Sequence, residues 1–92
     1  MSDIKLSGLM SDNGYSYPSD IELRNIFASS CVEAAAARIG CSVMEMYARM
    51  KNVDLLNKFI YPFYDSLHTQ SREVVTSDVL EALNTREQSL KR

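Results

Sequence analysis

The chain has no tryptophan, a single histidine and only two cysteines among its 92 residues, and these shortages narrow its chemistry from the outset. Cys31 and Cys41 form no C-x-x-C pair. With His68 as the only imidazole, one chain cannot complete a Cys/His zinc site, so no metal is expected. A disulfide scaffold fits poorly, and both thiols are expected as small apolar residues in a reducing compartment. The three glycines form no phosphate-binding loop, and nothing in the sequence calls for another cofactor. No apolar run approaches bilayer length, and Met1 to Gly8 lacks the basic and apolar regions of a signal peptide. A cytoplasmic protein with no membrane partner is therefore expected. A basic block is missing too. Ten Lys and Arg stand against twelve Asp and Glu, for a net charge of −2. Nucleic acid is disfavoured as a partner, because counterion release needs a concentrated basic surface.

What is present is a soluble, folding composition, with 46% hydrophobic and 24% charged residues. The length suits one domain, near the size below which a core needs a disulfide, a metal or a partner. Association with a protein partner, or between copies as a homo-oligomer, follows as an expectation.

Residues 1–18 read as a flexible leader, with a short apolar patch (Ile4, Leu6, Leu9, Met10) followed by a turn-rich run. Residues 19–92 read as a single helical domain. Ser19 and Glu22 stand in the S-x-x-E relation of a capping box, and Gly40 supplies a stop about twenty residues later. Between them Ile21, Ile26, Phe27, Val32, Ala35 and Ile39 recur near helical period, and the Ala34–Ala37 run would let another helix approach closely. Ser42 and Glu45 repeat the box. Val43, Met46, Tyr47 and Met50 then form an apolar stripe, with Glu45, Arg49 and Lys51 facing outward. Asp54 is a candidate cap for a third helix that buries Leu55, Leu56, Phe59 and Ile60. Pro62 predicts a break, after which helicity resumes through Tyr64 and Leu67. An extended link is expected over residues 71–75, with Val74 or Val75 in the core and Thr76 or Ser77 capping a last helix. Val79, Leu80, Leu83 and Leu90 would line that helix, and its polar end would fray. The predicted fold class is all-α: a small bundle of four or five helices with a short extended link near Val74-Val75.

Every general-base hypothesis passes through His68. Asp65 lies three residues earlier and can orient an imidazole, but no nucleophile stands near them in sequence. The alternative is a helix-end histidine whose ring bonds terminal carbonyls while Thr69 and Gln70 tie down the turn. No catalytic residue is assigned. A Gly-turn, Ser-cap junction at Ala36–Val43 has the form of a helix-turn-helix, with Val43–Lys51 as recognition helix. Glu45 in its first turn and the few flanking cations weaken that reading. Phe59, Tyr61, Phe63 and Tyr64 cannot share one helix face, and Tyr61 is the ring expected to be exposed.

The segments Cys31-Val32-Glu33, Gly40-Cys41-Ser42, Glu45-Met46-Tyr47 and Arg49-Met50-Lys51 resemble a bacterial family catalogued as domain of unknown function 3791. The likeness continues through Ile60, Tyr64-Asp65, Leu67-His68-Thr69-Gln70-Ser71-Arg72-Glu73, Val75-Thr76 and Asp78-Val79-Leu80. Its most specific part is the Tyr-Asp-x-Leu-His-Thr-Gln-Ser segment. The resemblance carries no activity. Members of that family are often encoded beside a protein resembling an ADP-ribosyltransferase, which implies an antitoxin-like or accessory binding role. The function expected is a non-catalytic protein-interaction module, its partner surface made of Tyr61, Tyr64, Asp65, His68, Thr69, Gln70 and Arg72. A helix-turn-helix DNA-binding regulator is the alternative.

Overall fold

A computed structural model describes residues 19–91; the expected leader, 1–18, lies outside the described residues. Those residues form an all-α bundle with no strand, in the order α1 (Asp20–Ile39), α2 (Val43–Asn52), a π-helical turn (Leu56–Ile60), α3 (Tyr64–Leu67) and α4 (Arg72–Leu90).

Both capping boxes form. Ser19 Oγ accepts from the Glu22 amide at 3.2 Å while the Glu22 carboxylate accepts from the Ser19 amide at 2.8 Å. Ser42 and Glu45 exchange the same pair of bonds at 3.0 and 3.2 Å. Each box satisfies two helix-end donors that would otherwise face solvent alone. Gly40 ends α1 with φ +78°, a conformation that costs an L side chain about 1–2 kcal/mol. The chain then turns by 113° into α2.

The core gathers Ala28, Cys31, Val32, Ala35 and Ala36 of α1, Met46 and Met50 of α2, Leu55 and Ile60 around the π-helical turn, Leu67 of α3, and Val75, Val79 and Leu83 of α4. On α1 the buried face is therefore the small-residue face. Ile21, Ile26 and Ile39, expected on the core stripe, are 71%, 60% and 45% exposed. Small side chains win because α1 packs against both α2 and α4, and an alanine surface lets helix axes come close. On α2, Met46 and Met50 are buried as the stripe predicts, whereas Val43 and Tyr47 stay exposed.

Asp54 does not cap the third helix through its side chain. It adopts φ +55° as α2 ends, and its carboxylate accepts from the Asn57 amide group at 2.9 Å. Leu55 and Ile60 are buried as expected, but the turn is wider than an α-helix: the Tyr61 amide reaches back to the Leu56 carbonyl at 2.8 Å. Pro62 follows directly, has no amide to continue the ladder, and the chain leaves helical structure over residues 61–63.

The extended link near Val74-Val75 is absent. Ser71 caps α4 by accepting from the Val74 amide at 3.3 Å, and the helix runs from Arg72. Thr76, expected as a cap, lies inside the helix, buried, with its hydroxyl donating to the Arg72 carbonyl at 2.7 Å. The low helix propensity of Val74, Val75 and Thr76 is worth only tenths of a kcal/mol each, less than burying Val75, Val79 and Leu83 on one face returns.

The C-terminal turns of α4 also stay helical, to Leu90. Arg49 of α2 grips the Glu87 carboxylate with two bonds, Nε at 2.8 Å and Nη2 at 2.6 Å. The hydrogen bond from Arg49 holds the Glu87 carboxyl below its usual range. Its folded pKa lies below its unfolded one, so its contribution is complete above the unfolded carboxylate pKa and fades as pH falls through the depressed value. Partial exposure limits the pair to about 1 kcal/mol. Glu87→Gln should accordingly lower the melting temperature at pH 7 and bring little loss at pH 3. An equal loss at both pH values would show that the pair contributes no charge-dependent stability.

Candidate functional site

The first turns of α1 build one end of the molecule by holding the irregular segment 61–68 against themselves. Arg24 is the organiser. Its guanidinium donates to the Tyr61 carbonyl at 3.2 Å, approaches the Asp65 carboxylate at 3.8 Å, and lies 4.7 Å from the centroid of the Tyr64 ring. Next to it, the Tyr61 hydroxyl donates to Asn25 at 2.6 Å. Phe27, one turn on, meets Tyr64 edge to face at 5.4 Å. Tyr64 is thus packed by a cation over its ring and by a T-shaped aromatic contact from α1, both favourable arrangements for its ring quadrupole.

His68 completes this stack from within the segment. Its ring lies parallel to Tyr64, with centroids 4.4 Å apart and planes 5° apart. Nδ1 sits 2.7 Å from the Tyr64 carbonyl. A carbonyl only accepts, so Nδ1 carries the proton and Nε2 is the nitrogen left to face outward. Thr69 and Gln70 both donate to the Ser66 carbonyl, at 2.9 and 3.4 Å. Of the two alternatives for His68, the geometry is that of a ring bonded to its own helical turn: Nδ1 shares the Tyr64 carbonyl with the His68 amide, and Asp65 is turned to Arg24.

Three of the seven expected surface residues, Tyr61, Tyr64 and Asp65, therefore meet around one arginine, and His68 joins them through the Tyr64 ring. Tyr61 is not the exposed ring. It is half-buried and bonded to α1, and Phe63 is exposed instead, at 51%. Thr69 and Gln70 spend polar atoms on the turn itself. Gln70 and Arg72 also line a hollow of about 170 Å³ with Phe27, Ser30, Cys31, Ala34, Val75 and Thr76. Cys31 at its base is buried, and burial pushes its thiol up to about 11, opposed in part by Arg72, so it is a neutral thiol at physiological pH. A neutral, enclosed thiol is a poor nucleophile.

A wider groove of about 350 Å³ runs between α1, α2 and the π-helical turn, lined by Ala28, Val32, Val43, Tyr47 and Leu56, with Glu33 as its acidic side chain. Among the described residues, no group of three His, Cys, Asp or Glu side chains gathers in a metal-binding arrangement, and no single helix is long and apolar enough to cross a membrane.

Sequence reasoning missed Arg24, Asn25 and Phe27. They stand 36 to 41 positions from the side chains they hold. The only local signal was that Arg24 and Phe27 are three apart, on one side of a helix.

No curated protein and no solved structure gives a match. A family comparison does, over residues 26–86, a span that takes in the whole Tyr61–Arg72 segment and most of both long helices. By that match the chain belongs to the family described as "Protein of unknown function (DUF3791)".

Proposed function

We propose that this protein is a non-catalytic, cytoplasmic interaction module that binds a protein partner through the end of the bundle organised by Arg24. The partner placed first is an ADP-ribosyltransferase-like enzyme encoded nearby, toward which the module would act as an accessory or antitoxin-like protein. One observation carries this reading. Large apolar side chains stand exposed beside the fixed polar stack, Ile21 at 71% on the first turn of α1 and Phe63 at 51% next to Tyr64, while Leu23 at 41% and Ile26 at 60% are exposed on the opposite side of the same turns. Apolar side chains bordering immobilised aromatic and arginine groups are the composition of a protein-binding surface, because the ordering cost of the polar groups has already been met by the fold.

The solvent-exposed His68, engaged with its own helix end, supports a binding role over a catalytic one. Co-expression of the full chain with the neighbouring gene product should give a complex that survives purification. The Tyr64→Ala, His68→Ala double variant should lose it while keeping its helical circular dichroism. Undiminished pairing by that folded variant would remove this surface from the proposal.

The 113° corner between α1 and α2 favours one further reading, a helix-turn-helix DNA-binding regulator. Against it, the outer side of α2 presents Met44 at 81% exposure and Tyr47 at 47%, and Glu45 is committed to the capping box. Retarded migration of duplex DNA at low salt is the result that reading requires.

A further inference from the structure

We infer that the partner presents an acidic segment, with carboxylates recurring about 10 Å apart, to a line of three arginines along the α1–α4 seam. The inference rests on the protein-binding reading above and names the chemistry of the partner.

Arg24, Cys31 and Arg38 are each seven residues apart on α1. Seven residues advance a helix by about 10 Å and return to nearly the same face. Cys31 forms the floor of the 170 Å³ hollow, whose mouth carries Arg72 and Gln70. Arg24 and Arg38 therefore flank that hollow at comparable distances along α1.

Both flanking guanidinium groups are already oriented. Arg24 is held by the Tyr61 carbonyl and the Tyr64 ring, and Arg38 donates to Ser77 Oγ at 2.7 Å and to the Glu73 carbonyl at 3.1 Å. An arginine so positioned loses little further freedom when it forks a carboxylate. The hollow, at about 170 Å³, is large enough to admit an acidic side chain, and its floor is a neutral thiol, so no anion competes there.

The opposing charges on this seam are Asp65 and Glu73. Asp65 is 86% exposed and only 3.8 Å from Arg24, a contact that an incoming carboxylate can replace. The Glu73 side chain is exposed, and it is its backbone carbonyl that meets Arg38. A polyanion such as nucleic acid would meet the −2 net charge of the whole chain, whereas a short acidic peptide meets only the seam.

The test uses the full chain and a fluorescent helical peptide with glutamates at i, i+7 and i+14, with a same-composition peptide of altered spacing as control. Anisotropy at low salt should show the heptad peptide binding about tenfold more tightly than the control, and Arg72→Gln should weaken it about tenfold without lowering the melting temperature. Equal binding of both peptides, no effect of Arg72→Gln, or tighter binding of mixed-sequence duplex DNA would each overturn the inference. Loss of peptide recognition with co-purification intact would overturn the acidic-segment inference alone and leave the protein-binding proposal standing.

Discussion

Leu83→Ala should lower stability by about 2–5 kcal/mol, whereas Leu90→Ala should cost less than about 0.5 kcal/mol. The two leucines stand seven residues apart on one face of α4, and a sequence reading assigns both to the same apolar edge. In the fold they differ completely: Leu83 is fully buried and Leu90 is 59% exposed. Truncating Leu83 removes apolar atoms from a fully buried position in the core shared by α1, α2 and α4, and the surrounding helices relax only partly into the space. In a domain of this size each kcal/mol shifts the melting temperature by about 4–8 °C, so the loss should be roughly 8–40 °C and readable by thermal circular dichroism. Similar shifts for the two variants would mean that α4 does not dock by the face described.

Ala35→Leu should cost about 1–3 kcal/mol, and Ala37→Leu should be close to neutral. Ala35 has no exposed surface, and Ala37, two positions on, faces solvent. The added methylenes at Ala35 must push α1 away from its neighbours or force strained rotamers, because the close approach of α1 to α2 and α4 leaves no room. At Ala37 the same side chain extends into water. Chemical denaturation of the pair gives the comparison directly. Indistinguishable midpoints would contradict the assignment of the alanine face to the core.

These contrasts mark how far the sequence could be read. The Ser19–Glu22 and Ser42–Glu45 boxes, the Gly40 stop and the break at Pro62 were legible because each is a local event, complete within about four residues. Ser71 is just as local, yet it has no glutamate three positions on, and the β-branched Val74 and Val75 that follow it have low helix propensity. Burial reversed that preference. On α1 the periodic stripe holds for Val32 and Ala35, but its three isoleucines are exposed and Ala28, Cys31 and Ala36 are buried instead, since hydrophobicity does not register how closely two helices can approach.

The candidate site divides in the same way. Tyr64, Asp65, His68, Thr69 and Gln70 are neighbours in sequence, and their density of polar and aromatic groups singled them out. That His68 bonds its own helical turn follows from its position four residues after Tyr64.

The sequence by itself determined the all-α class, the capping boxes of α1 and α2 and the Gly40 stop, because those features are fixed by hydrogen bonds and backbone preferences spanning a few residues. Only the tertiary structure decided which alanines are core, that α4 begins at Arg72, and that Arg24 and Asn25 hold Tyr61, Tyr64 and Asp65. Those outcomes depend on side chains 36 or more residues apart meeting at one place, and the free energy of such contacts is set by geometry that no local pattern encodes.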